Sequence, residues 1–166
     1  MNRQLAQRGR ILLLSCMAVC MSVVALATPG SGVVTNIVSR ATVADALNVK
    51  FKNPLADFEL RLRTKGPADF ISQQVTFAPG GTSGWHSHSG PALVSVTSGT
   101  ATFYEADNPS CSPIVVHAGT AFVEQGEDVH IARNEGTTNL VFNILYITPV
   151  GAAQRVDEPS PGNCPF

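Results

Sequence analysis

Beyond its first 27 residues, this chain has little cysteine, no excess of positive charge and no extended helical periodicity. From Phe58 onward no segment of ten residues spaces apolar side chains at helical intervals. That argues against a helical bundle and against an α/β fold with crossover helices. Arg3, Arg8 and Arg10 account for three of the eleven Lys and Arg; without them eight bases face twelve acids, a balance of about −4. An acidic balance without a basic patch excludes nucleic acid as an expected partner. No Gly-x-Ser-x-Gly elbow occurs and no cysteine is placed as a nucleophile, so serine or cysteine acyl transfer is not indicated. No stretch is of low complexity.

What is present begins with a leader. Met1–Arg10 is basic, and Ile11–Ala27 is apolar except for Ser15 and Ser22, ending Ala25-Leu26-Ala27. This is the pattern of a secretory signal peptide, with cleavage expected after Ala27 and export of residues 28–166. A membrane anchor is the alternative. The apolar run is at the short limit for a span, and its small-residue exit favours cleavage, leaving no membrane segment. A lipid anchor at Cys16 fits poorly, because most of the apolar run follows that residue. Cys16 and Cys20 leave with the leader. In an exported chain the remaining pair, Cys111 and Cys164, reads as one disulfide, with two free thiols as the alternative. It would tie the tail, residues 149–166, to the loop Asp107–Pro113.

The body of the chain reads as short strands between Gly and Pro turns. Val33–Ser39 is a first strand or an extended arm. Val43–Leu47 is expected as a turn of helix capped by Thr42, and Lys50–Pro54 as a break. Phe58–Arg63 alternates apolar with charged residues, as a half-buried strand does. Phe70–Phe77 follows, then a flexible turn over Ala78–Gly84. Strands are expected at Ala92–Val96, Thr100–Tyr104, Ile114–His117, Ala121–Glu124, Val129–Arg133 and Asn139–Thr148. The fold class is all-β, a sandwich or barrel.

The chemistry centres on Gly80–Gly99. In an extended segment, residues i and i+2 share a face, so His86 and His88 would present two imidazoles together. Neutral imidazole suits Zn, Cu, Fe or Ni. His130, in a later strand-like run, is the third candidate ligand. Asp128, two residues earlier, is a candidate fourth ligand. Trp85 and Asn134 are candidate pocket residues, although Trp85 packs equally well on a rim and Asn134 suits a turn. His117, Glu124 and Glu127 read as surface groups.

These segments resemble the cupin family. Gly80, His86, His88 and Gly99 fall at the places of the first cupin motif, and Gly119, Gly126, His130 and Asn134 at those of the second. The core of the resemblance spans about residues 75–148, within a single cupin domain expected over 28–166. The chain is similar in particular to small exported bacterial cupins with a Pro-Gly-Asn-Cys-Pro-like tail. The resemblance implies a double-stranded β-helix barrel of jelly-roll type with a metal at its mouth, a small-molecule ligand or substrate, and a homodimer formed through the sheets. Two departures stand out. The motif glutamate should fall near residue 92 or 93, where this chain has Ala92 and Leu93, and the motif proline is replaced by Glu124. Without the carboxylate, Fe, Zn or Cu is expected ahead of Mn. The function expected is that of a secreted metal-binding cupin with dioxygenase-like chemistry; the alternative is a non-catalytic module that binds a small molecule or sugar.

Overall fold

Alternation of inward and outward side chains organises the long strands. The structure, a computed structural model, describes residues 26–166. Most of the expected leader, with Cys16 and Cys20, lies outside the described residues. Among those described, the chain is all-β without a helix. The strands are β1 (Ser31–Val43), β2 (Asn48–Asn53), β3 (Phe58–Arg63), β4 (Ala68–Thr82), β5 (His86–Ser87), β6 (Ala92–Ser98), β7 (Thr100–Glu105), β8 (Ile114–His117), β9 (Ala121–Glu124), β10 (His130–Arg133), β11 (Leu140–Pro149) and β12 (Val156–Asp157).

All strands except β2 and β3 form one curled antiparallel sheet in the order β12-β5-β10-β4-β11-β6-β9, with β1 also on β4 and the β7–β8 pair on β10. The inward residues are Ile71, Gln73, Val75 and Phe77 on β4, Ala92, Val94 and Val96 on β6, and Leu140, Phe142, Ile144 and Tyr146 on β11. Cross-strand partners point to the same face, so register sets them in rows. Ile71, Tyr146, Ala92 and Glu124 form one row across β4, β11, β6 and β9. Gln73, Ile144, Val94 and Phe122 form the next. A slip of one residue would turn either strand's apolar set outward, so burial specifies this register.

A second, smaller core lies on the outer face of β5, β7 and β10. Trp85, Tyr104, Ile131 and Cys164 are buried there, with Cys111 and Val129 packed against them. The Cys111–Cys164 disulfide closes this layer, with Cα atoms 5.2 Å apart and a sequence separation of 53.

Several boundaries differ from the sequence reading. Val43–Leu47 is not helical. Val43 ends β1 opposite Ala68, and the Thr42 hydroxyl that would cap a helix donates instead to Asp69 Oδ1 at 2.6 Å. Lys50–Asn53 is not a break but lies in β2, where Lys50-Phe51-Lys52 alternates and pairs with Arg61–Glu59. Strand β3 falls where expected but is mostly exposed, because the β2–β3 hairpin pairs only with itself. Strand β4 runs through most of the expected turn to Thr82. Gly80 N–H donates to Asn134 O, and Asn134 N–H to Gly81 O, so the second motif completes this end of the strand.

Candidate metal centre

Two strand relationships bring the histidines together. His86 and His88 both point inward from Trp85–Ser89, and His130 is the direct partner of His86 across β5 and β10. All three are buried. One ring nitrogen from each lies within 4.8 Å of the others. Ring centroids are 4.4 Å apart for His86 and His130, 4.9 Å for His86 and His88, and 5.1 Å for His88 and His130.

Each ring is oriented by a backbone carbonyl. His86 Nδ1 donates to Gly84 O at 2.9 Å, His88 Nδ1 to Gln154 O at 2.7 Å, and His130 Nδ1 to Asp128 O at 2.9 Å. A carbonyl only accepts, so each Nδ1 carries the proton and each Nε2 of a neutral ring keeps its lone pair. This arrangement fixes tautomer and direction in metal-ligating histidines. Gly84 is essential to it. Its φ of +69° suits glycine, and a Cβ there would stand 2.0 Å from Thr28 O, which passes over the turn.

A carboxylate completes the set, from a residue the sequence reading left at the surface. Glu124 is largely buried, its side chain 13% exposed, with Oε2 3.1 Å from His88 Nε2 and Oε1 3.3 Å from His130 Nε2. Its direct partner across β6 and β9 is Ala92, one of the positions where the motif glutamate was sought. The missing carboxylate has moved one strand sideways, and the small Ala92 leaves it room. The ranking of Fe, Zn and Cu ahead of Mn rested on that absence and loses its basis here. Asp128 does not take the fourth position: its side chain is exposed, and only its backbone carbonyl meets the site.

The electrostatics follow from burial. Burial opposes ionisation of Glu124, but the adjoining His130 and His88 outweigh it and hold the carboxyl at about 2. Burial pushes His130 down, and Glu124 more than reverses this, so its pKa is raised. His86 lies well below the ordinary value, first through burial and then through the neighbouring His130, Arg155 and His88 charges. His130 Nε2 is buried without a hydrogen-bond partner, its approach to Glu124 being too poorly aligned for one.

A cavity of about 350 Å³ opens from this cluster into the barrel. Val75, Phe77, Phe142 and Ile144 form its apolar wall, and Gln73, Tyr146, Gln154 and Arg155 add polar groups. Trp85 and Asn134 were expected at this pocket, and neither lines it. Trp85 alternates with His86 and so faces the outer core. Asn134 holds a turn, its Nδ2 donating to Phe77 O and Thr138 O. His117 is exposed beside Thr100.

A family model described as a cupin domain matches residues 73–148. The chain belongs to the cupin superfamily. Among solved structures, this cupin is similar to recombinant oxalate oxidase in complex with glycolate, at 26% identity and TM-score 0.41, over 46% of this chain and 41% of that one. Oxalate decarboxylase from Bacillus subtilis, described with Mn(II) centres, matches at 22% identity and TM-score 0.46, over 53% of this chain and 23% of that one. A double-stranded β-helix protein of Klebsiella pneumoniae matches at 19% identity and TM-score 0.46, over 69% and 85%. The cupin thus spans less than half the length of these two oxalate enzymes. No curated protein matches it.

Proposed function

We propose that this cupin is exported and holds one divalent transition metal on His86, His88, His130 and Glu124, facing a small-molecule ligand in the barrel. The observation that carries the reading is the donor set itself. Three Nε2 lone pairs and a carboxylate converge in a buried space, with every Nδ1 proton already committed to a carbonyl. With the rings neutral, acceptors face acceptors and call for a cation between them, and the His130 Nε2 left without a hydrogen-bond partner marks the place. Three imidazoles and a carboxylate fit a first-row divalent ion. When bound there, such an ion polarises an oxygen of the ligand or activates water or dioxygen. The protein's own part is to fix the rings, exclude water with the apolar wall and present the neutral Tyr146 hydroxyl, whose pKa is raised by burial and Glu124. Export is supported by the disulfide, a bond of oxidising compartments, and by the leader pattern. Among the described residues no helix is long and apolar enough to cross a membrane.

Elemental analysis of the exported protein tests this, beside a His86→Ala/His88→Ala variant. About one metal per chain in the wild type, lost in the variant, is the expected result. No metal after reconstitution contradicts it. One observation favours a second reading, a binding module without turnover. Glu124 is engaged by His88 and His130, and Asp157 by Arg155, so neither cavity carboxylate is left to move a substrate proton. Ligand recovered unchanged from the metal-loaded protein supports that second reading; ligand consumed supports an enzyme.

A further inference from the structure

The tail beyond β11 does more than cover the barrel. Gln154 gives its carbonyl to His88, and the next residue, Arg155, lines the cavity. Its guanidinium is held at two points. Nε donates to Asp157 Oδ1 at 2.6 Å and Nη2 to Ser83 O at 2.7 Å. Nη1 has no partner among the described residues. The side chain is one-third exposed, and its charge is felt by His86, His130 and Tyr146.

A second observation points to a ligand independently. Gln73 is 7% exposed, points inward from β4 and lines the same cavity. Its Oε1 is buried with no hydrogen-bond partner. A buried amide oxygen left unpaired is costly, so its presence in a lined cavity calls for a hydrogen-bond donor brought from outside. The same cavity has an apolar lining of Val75, Phe77, Phe142 and Ile144. At about 350 Å³ the cavity sits at the small end of small-molecule sites.

We propose that the cavity takes a small carboxylic acid with an apolar body and a hydroxyl at its far end, its carboxylate held by Nη1 of Arg155 and its hydroxyl donating to Gln73 Oε1. This rests on reading the cavity as the ligand site of the metal centre. Arg155 is then a specificity-determining residue carried by the tail rather than by the barrel. Planar guanidinium matches carboxylate geometry, whereas a neutral amide of the same shape forfeits the charge-assisted bond.

The test is calorimetric titration of the full exported chain with 6-hydroxyhexanoate and 4-hydroxybenzoate, against 6-hydroxyhexanamide and 4-hydroxybenzamide, with metal content measured on the same samples. The acids are expected to bind about tenfold or more tightly than the amides. Arg155→Gln should remove that preference while metal content is unchanged. Asp157→Asn separates recognition from a structural role. It frees the guanidinium and should bind the acids at least as tightly as the wild type. Amides binding as well as acids, no acid binding at all, or Asp157→Asn losing the preference as Arg155→Gln does would each overturn the proposal. Acid binding that depends on Arg155 in a protein without metal would overturn the metal reading and leave this one standing.

Discussion

At the scale of single residues, the exchange between positions 92 and 124 is the most informative feature. Ala92 and Glu124 are direct partners on β6 and β9, so a carboxylate can reach the histidines from either strand. Glu124→Ala should weaken metal binding at least about tenfold, since even residues that only orient ligands cost that much when lost. Adding Ala92→Glu to that variant should restore binding, read by metal titration. No loss in Glu124→Ala would contradict the placement of this ligand. Asp69 gives a prediction about pH. Its carboxylate accepts from Thr42, Gly151 N–H and Arg40, and these bonds hold its pKa below the usual value. A carboxyl depressed in the folded state stabilises above its unfolded pKa, about 3.9, and loses that contribution as pH falls through the folded value. Asp69→Asn should therefore melt below the wild type at neutral pH, with the gap narrowing below about pH 4. A gap unaffected by pH would contradict this.

At the scale of elements, the tail works as a strap. It delivers Gln154 and Arg155 to the site, is pinned by Cys164, and sends Asn163 Nδ2 to Glu105 O and Asn108 O. Closing a loop of 53 residues is worth about 4 kcal/mol in the chain-entropy account. Cys111→Ala/Cys164→Ala should lower unfolding stability by about that amount in denaturant titration, and should weaken metal binding by releasing the carbonyl that orients His88. Unchanged metal affinity would mean that the strap holds without its clasp. The β2–β3 hairpin behaves differently, because it pairs only with itself and exposes Phe51 and Phe58. Replacing residues 48–63 by a flexible linker should leave metal content at the wild-type value by elemental analysis. Loss of metal would show that the hairpin supports the barrel.

At the scale of the molecule, what sequence could reveal was what depends on local period. The alternation in β4, β6 and β11 and the pairing of His86 with His88 by i, i+2 spacing needed no knowledge of long-range contacts. His130 was reachable through the cupin motif. For Trp85, equally a pocket or a rim residue from its surroundings in sequence, the same alternation holds the answer: a residue adjacent to His86 on a strand must face away from it. Glu124 was out of reach for a different reason. Its role arises from the register of β6 against β9, set by the burial of Val94 and Phe122 as partners, and no local pattern encodes that register. The unhelical Val43–Leu47 is likewise a tertiary outcome, since Thr42 is claimed by Asp69 on β4.

Three rings and a displaced carboxylate frame the proposed metal site. The most direct measurement is anomalous diffraction at the metal edge from crystals of the reconstituted protein. The predicted result is one ion bonded to Nε2 of His86, His88 and His130 and to a carboxylate oxygen of Glu124. An ion bound elsewhere, or no anomalous signal between these side chains, would contradict it.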